Sequence, residues 1–188
     1  MSHAVEQERH RAALRTQIED TAARVRALAG RMDDTSLHWY PPGGGWSVGQ
    51  VLEHLVVADE DYLARLRTLV ARPDAPRATP GAEWRPSLMG RFLANALERP
   101  RRLPAPKRWV PPLAPRPRVL DEYLARQQEL LSLLDQGAAL DWRRVRTSSP
   151  ISPLIRLNLG DCFTLLAVHG RRHLGQMERL AARPDFPA

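Results

Sequence analysis

Four segments of this chain carry apolar residues at the three- and four-residue spacing of an α-helix. They span approximately residues 4–29, 48–69, 119–135 and 158–182, and each presents one apolar stripe. Because such stripes are buried best against one another, the pattern predicts an all-α protein built as a four-helix bundle. No segment shows the convincing alternation of apolar and polar residues that is typical of a β-strand.

Capping residues mark the ends of two of these helices. Ser47 and Gln50 form the S-x-x-Q pattern of a capping box, which starts the second helix at Val48. Asn158 is suited to cap the start of the fourth helix, and Pro184 lies just beyond its expected end.

The second and third helices are joined by a long connection, residues 72–118, that is rich in proline and arginine. It holds eleven of the seventeen prolines, and its ten arginines and one lysine outweigh three acidic residues to give a net charge of +8. Since proline blocks helix interiors, we expect an insert-like, mostly irregular connection within one domain of residues 1–188. A short helix fits residues 87–98, and Trp84 and Trp109 indicate that parts of the connection pack down.

The cysteine count and the hydropathy of the chain argue against a disulfide-linked, cysteine-zinc or membrane-spanning protein. Cys162 is the only cysteine, so neither an intramolecular disulfide nor a cysteine-based zinc site is expected. The first residues are charged, and no apolar run approaches the length of a membrane span. We therefore expect a cytoplasmic protein that makes no membrane contact, with Cys162 serving as a small core hydrophobe.

Three histidines are the strongest functional signal in the chain. His169 and His173 are four residues apart in the middle of the fourth apolar stripe, and His54 lies toward the edge of the second stripe. An imidazole buried without a partner costs about 1–3 kcal/mol, so these side chains need partners. Two interpretations are open at this point: a divalent metal ion held by all three, or hydrogen-bonded core histidines.

The residues around these histidines resemble a known family. The pattern W-S-x-x-x-V-L-x-H-L at residues 46–55, followed by H-x-x-x-H-L-x-Q at residues 169–176, is similar to the DinB-like (DinB/YfiT) metalloprotein superfamily. The resemblance implies an up-down-down-up four-helix bundle that holds zinc or nickel at one end. Carried over by position, the ligands are His54, His169 and His173.

Two further side chains are candidates beside this site. Asp61 lies two turns after His54 and could orient a metal-bound water as a general base, or could be a solvated carboxylate of an acidic run. Gln176 lies one turn past His173 and could bond an imidazole or a ligand from outside the metal shell, or could be a polar residue of the helix flank.

The remaining histidines and Trp46 are assigned structural positions. His3, His10 and His38 have no partner at ligand spacing, so we expect them at the surface. Trp46 follows a glycine turn and is expected to anchor the junction of that loop with the second helix.

Two main functions are compatible with these observations. Three histidine ligands leave a coordination position open, which is typical of a catalytic site, and the family resemblance implies thiol-dependent transferases or isomerases. We expect a metal-dependent S-transferase or hydrolase acting on a small molecule, with a low-molecular-weight thiol as cosubstrate. The alternative is a non-enzymatic, stress-related bundle protein whose basic segment 72–118 binds a polyanion or a protein. No nucleic-acid motif is visible, so nucleic acid is not expected, whereas a homodimer is.

Overall fold

The computed structural model describes residues 5–99 and 103–187, and this part of the chain is mostly helical. The four long helices are α1 (Gln7–Ala29), α3 (Val48–Val70), α5 (Val119–Gln136) and α6 (Leu159–Ala181). Two shorter helices are α2 (Asp34–His38) and α4 (Leu88–Glu98), and 3₁₀ turns occupy Lys107–Trp109 and Gly137–Ala139. The predicted all-α class is confirmed.

The helix starts follow the capping chemistry predicted from the sequence. Ser47 Oγ accepts a hydrogen bond from the Gln50 backbone N–H, and the Gln50 side chain accepts one from the Ser47 N–H, which closes a capping box before α3. Asn158 caps α6 in the same reciprocal way with Asp161, a partner that the sequence reading did not name. Each box satisfies backbone donors that would otherwise lack a partner.

Two short antiparallel strand pairs are present, so the expectation of no strand is wrong in detail. β1 (Val5–Glu6) pairs with β2 (Glu83–Trp84), and β3 (Arg146–Ser148) pairs with β4 (Arg156–Asn158). Strands of two or three residues are too short to show a two-residue period in the sequence.

The four long helices form the core by packing each against two others. The main contacts join α3 to α5 and to α6, and join α1 to α5 and to α6. Apolar side chains from all four helices are buried in these interfaces, including Ile18, Leu52, Leu63, Leu130, Leu134 and Phe163. Of the consecutive long helices, α3 and α5 are therefore main packing partners although the longest connection joins them, whereas the pairs α1 with α3 and α5 with α6 are not among the main contacts.

The connection of residues 72–118 lies against this core at several points. Trp84 and Trp109 are 4% and 5% exposed, and α4 packs on α6, which confirms the short helix predicted near residues 87–98. Arg116 donates to the buried carboxylate of Glu53 on α3 through its backbone N–H and its guanidinium. Such contacts hold both ends of the described connection close to α3 and α6.

Within the part of the chain that the structure describes, no helix has both the length and the apolar character needed to cross a membrane.

One carboxyl group is buried in the helix core. Asp59 on α3 is 4% exposed, and its Oδ2 accepts a hydrogen bond of 2.7 Å from Nε2 of Gln127 on α5. Burial raises the pKa of Asp59 to about 7, although Gln127 and the charge of Arg126 act in the opposite direction. The folded protein therefore favours the protonated form of this side chain.

This burial makes stability depend on pH in a defined direction. An aspartate in the unfolded chain ionises near pH ~4. Between about pH 4 and 7 the folded state thus holds a proton that the unfolded state lacks, and stability falls as pH rises through that window. Replacing Asp59 by Asn removes this dependence. The difference in free energy of unfolding between Asp59→Asn and the wild type should shift in favour of the variant by about 4 kcal/mol from pH 4 to 8.

Urea unfolding at several pH values measures this difference, with Asp20→Asn at an exposed site of α1 as the control. If the free energies of unfolding of the wild type and Asp59→Asn differ by the same amount at every pH between about 4 and 7, Asp59 does not change its protonation on unfolding.

Candidate metal centre

The candidate metal site lies where α3 and α6 face each other. α3 supplies His54, and α6 supplies His169 and His173 one helical turn apart. Each side chain offers a ring nitrogen, and these three nitrogens lie within 4.8 Å of one another. His54 and His173 are buried and His169 is partly exposed. The structure thus brings together all three histidines predicted as ligands.

Hydrogen bonds fix which nitrogen of the two buried rings faces the centre. Nδ1 of His54 lies 2.8 Å from the backbone carbonyl oxygen of Trp109, and Nδ1 of His173 lies 2.9 Å from Oε1 of Gln176. A carbonyl oxygen can only accept, so each Nδ1 carries the proton and donates it. The Nε2 atoms of both rings therefore present lone pairs to the centre.

The position of the His169 ring favours one of the two interpretations that the sequence left open, a shared metal ion or hydrogen-bonded core histidines. Nε2 of His169 lies 3.1 Å from Nε2 of His54 and 3.1 Å from Nε2 of His173. If this nitrogen is protonated, its single N–H bonds well to one lone pair and leaves the other without a donor. If it is not, three lone pairs converge. A divalent metal ion would accept all three lone pairs, so the donor set fits a metal better than a hydrogen-bonded histidine cluster.

Burial also keeps these imidazoles in the neutral form that binds metals. The pKa of His173 is lowered to about 3, first by burial and then by the proximity of His54. Burial lowers the pKa of His54, against the opposing effect of its bond to Trp109. The pKa of His169 falls well below its ordinary value because of burial and the two neighbouring rings. Metal binding therefore needs no deprotonation at neutral pH.

The sequence matches the family model of the DinB superfamily over residues 17–177, a span that contains all three histidines. The chain belongs to the DinB superfamily. The resemblance drawn from the motifs around the histidines is thereby confirmed. No curated protein and no solved structure matches the chain.

In this DinB superfamily protein the three histidines line a cavity of about 880 Å³. Its walls come mainly from α4, from the proline-rich segment that follows α4, and from α6. The apolar wall includes Phe92, Leu93, Leu97, Pro104, Leu165 and Leu166. The volume is in the range of small-molecule sites, and its predominantly apolar walls with few polar groups are typical of them.

Trp46 was predicted at the junction of the glycine loop and α3, and in the structure it also lies next to the histidines. Its indole lies 4.9 Å from the ring of His54 and 6.5 Å from that of His173, measured between ring centroids. It also lines the cavity. Trp46 thus directly precedes the α3 capping box, where the sequence placed it, and also lies beside two of the three candidate ligand rings.

Asp61 lies beside the site and is held by two donors. Its Oδ1 accepts from Nη2 of Arg108 at 2.6 Å, and its Oδ2 accepts from Nε1 of Trp109 at 2.6 Å. It is not among the cavity-lining residues of the described chain. These bonds fix the 3₁₀ turn whose last residue offers its carbonyl oxygen to His54. Catalysis by Asp61 as a general base stays a prediction, while its contacts predict a positioning role through Trp109.

The other candidate residues occupy varied positions. Gln176 contacts His173 from outside the ligand set, as the sequence suggested. His10 was expected at the surface, but it is partly buried: its ring stacks on Trp84 at 4.2 Å, and burial lowers its pKa to about 4. His38 is partly exposed, and His3 lies outside the described residues. Cys162 is fully buried, and burial raises the pKa of its thiol.

Loss of any ligand should remove the metal. We expect purified wild-type protein to hold about one divalent ion per chain, and His54→Ala, His169→Ala and His173→Ala each to lose most of it, since two imidazoles form an incomplete set. Elemental analysis after desalting measures the content, with His38→Ala as a histidine control outside the site. Unchanged metal content in His173→Ala would contradict the ligand assignment.

The two roles of Asp61 predict different behaviour of its variants. If Asp61 positions Trp109, Asp61→Ala should weaken metal binding about tenfold or more, and Asp61→Asn should restore it because an amide oxygen still accepts from the indole N–H. If Asp61 is a general base, both variants should retain the metal and lose turnover. Competition with a chelating dye measures the affinity, and Glu60→Ala on the same helix provides the control.

Proposed function

We propose that this protein is a divalent-metal-dependent enzyme of the DinB superfamily, in which His54, His169 and His173 hold zinc or nickel. The proposed reaction is S-transfer from a low-molecular-weight thiol to a small electrophilic substrate, or hydrolysis of such a substrate. The cytoplasm is the proposed location, since free low-molecular-weight thiols are kept reduced there.

One observation carries this proposal: the three ligand histidines form part of the wall of the 880 Å³ cavity. A structural zinc site is closed by four protein ligands and is usually isolated from ligand cavities, whereas a catalytic site keeps a position open. Among the described residues, the cluster of potential ligands contains these three histidines alone. A substrate in the cavity therefore has access to the remaining coordination position.

The chain's own residues prepare this position in three ways. The Trp109 carbonyl and the Gln176 amide orient two imidazoles, which fixes where their lone pairs meet. Trp46 packs beside the rings of His54 and His173, and the apolar wall limits water around the site. When bound, a zinc or nickel ion supplies Lewis acidity, which polarises a carbonyl or lowers the pKa of a coordinated thiol or water.

For S-transfer the bond changes are simple. The thiol loses its proton, its sulfur forms a bond to an electrophilic carbon of the substrate, and the bond from that carbon to a leaving group breaks. The leaving group departs with the electron pair and takes up the proton. Hydrolysis follows the same sequence with water as the nucleophile, so both reactions need the same open position beside the histidines.

The arrangement of the four long helices is proposed to be the up-down-down-up bundle of this superfamily, with residues 72–118 as the crossover between α3 and α5. The contact pattern supports it, because α3 packs on α5 and α6 while α1 packs on the same two helices. A homodimer stays a prediction. Exposed apolar side chains such as Leu88, at 77%, and Leu154, at 89%, are compatible with it.

The alternative function, binding of a polyanion or protein by segment 72–118 without catalysis, has weaker support. Five arginines of the segment form ion pairs with carboxylates: Arg72, Arg85, Arg108, Arg116 and Arg118. Three of the partner carboxylates, Asp61, Glu53 and Asp121, lie outside the segment and compensate part of its net charge, which reduces the attraction for phosphate.

Cobalt substitution tests the open coordination position. In the cobalt protein, addition of a small thiol or of azide should change the visible absorption spectrum, because an added ligand alters the coordination of the ion. The matched control is His169→Ala loaded with cobalt in the same way, which should lack the wild-type spectrum. Turnover is then measured with a low-molecular-weight thiol and a chromogenic electrophile.

A cobalt spectrum that does not respond to any added ligand would contradict the proposal, since it would show a closed site. A responsive spectrum without turnover under any thiol or water condition would retain the metal site and reject the enzyme.

A further inference from the structure

The cavity beside the histidines is asymmetric in charge. Among its described lining residues there is no carboxylate, and the two charged side chains are Arg172 and Arg179, both on α6. A cavity with one sign of charge and low-dielectric walls attracts ligands of the opposite sign. The cavity therefore favours an anion over a neutral molecule or a cation.

Along α6, the apolar lining residues come before the histidines, and the charged lining residues come level with them or after them. Leu165 and Leu166 precede the two histidines, and the polar lining residues Arg172, Gln176 and Arg179 lie level with them or after them. From Leu166 to Arg179 the helix rises by about 20 Å, at 1.5 Å per residue. The metal position therefore lies between an apolar end and a cationic end of one cavity.

α4 runs beside α6 in the same direction, so residues early in α4 lie beside the apolar lining residues early in α6. Its N-terminal cap, Ser87, donates its backbone N–H to Asp161 at the start of α6, and the carbonyl oxygens of Leu97 and Arg99 accept from Arg172. Phe92 and Leu93 consequently lie toward the apolar end. Ala58 and Tyr62, which follow His54 on α3, also line the cavity.

Arg179 lines the cavity from the last turn of α6. A Cβ built on Gly175 would be 3.3 Å from Nη1 of Arg179, so this side chain folds back along α6 by about one turn, toward Gly175. In the described part of the chain, no carboxylate forms an ion pair with Arg179. Its charge is available to a ligand in the cavity.

From this order we infer that the substrate is a small amphiphilic anion whose reacting atom lies between an apolar body and an anionic group. The apolar body occupies the end at Leu165 and Leu166, and the anionic group binds at Arg179 beside Arg172. The inference deepens the proposed function and rests on it for the reaction, whereas the binding preference depends only on the cavity.

Binding of simple probes to metal-free protein tests the preference, since a carboxylate could otherwise bind the ion directly. The metal is removed with a chelator, and octanoate, octan-1-ol and acetate are titrated while the fluorescence of Trp46 and Trp109 in the cavity wall is followed. Octanoate should bind at least tenfold more tightly than octan-1-ol, and acetate should bind more weakly than octanoate because it lacks an apolar body.

Substitutions at Arg179 and Leu93 test the two ends of the cavity. Arg179→Gln should weaken octanoate binding about tenfold and leave octan-1-ol unchanged. Leu93→Ala should weaken both probes, because it shortens the apolar wall. Arg171→Gln is the matched control: Arg171 is on the same helix but pairs with Glu98 and does not line the histidine cavity, so octanoate should bind as in the wild type. Circular dichroism checks that each variant is folded, and Arg179→Lys provides a second, charge-conserving change.

Equal affinity for octanoate and octan-1-ol, no detectable binding of octanoate, or an unaltered octanoate affinity in a folded Arg179→Gln variant would each overturn the inference. Since these titrations use metal-free protein, they are independent of the cobalt experiment. A closed metal site with selective octanoate binding would reject the proposed enzyme and retain the amphiphile site.

Discussion

The hydrogen bond between Nδ1 of His54 and the carbonyl oxygen of Trp109 determines how the rest of the site is arranged. It fixes the ring so that Nε2 faces the two histidines of α6. The acceptor belongs to the long connection, 55 residues away in the chain, so this segment completes the site. Asp61 holds the side chain of Trp109 from the same helix that carries His54. α3 thus controls both the ligand and the group that orients it.

Burial makes this orientation strict and determines what a metal ion would contribute if the three histidines bound one. The pKa values of the three imidazoles are lowered by burial, so protonation cannot relieve the contact between their lone pairs at neutral pH. Within residues 5–99 and 103–187, two Nδ1 atoms have carbonyl partners, while the three Nε2 atoms have only one another as hydrogen-bonding neighbours. A buried polar group without a partner is unfavourable by about 1–3 kcal/mol, so a shared ion removes a cost that the fold otherwise carries.

The sequence predicted the helices and the histidines because both are encoded in periodicity. Ser47 and Asn158 gave helix starts through side-chain capping chemistry, which is local. The acceptor at Trp109 could not be predicted, since a backbone carbonyl has no residue-type signature and its position depends on the packing of an irregular segment. The apolar face of α4 was visible at helical spacing, but an apolar face that lines a cavity has the same pattern as one that fills a core.

The connection of residues 72–118 contributes both to the packing of the fold and to the construction of the histidine site. Its charge of +8 suggested a binding surface for large polyanions, yet many of its arginines are used internally, as in the contact of Arg116 with buried Glu53. Glu53 is next to His54, so this ion pair fixes the chain on one side of the ligand, while Asp61 fixes it two turns later. Arg108 and Arg116 therefore hold the proline-rich segment against α3 on either side of His54. Along α6 the cavity is lined by Leu165 and Leu166 before the histidines and by Arg179 after them. The same packing that positions the histidines therefore also favours one orientation for the amphiphilic anion that we propose as substrate.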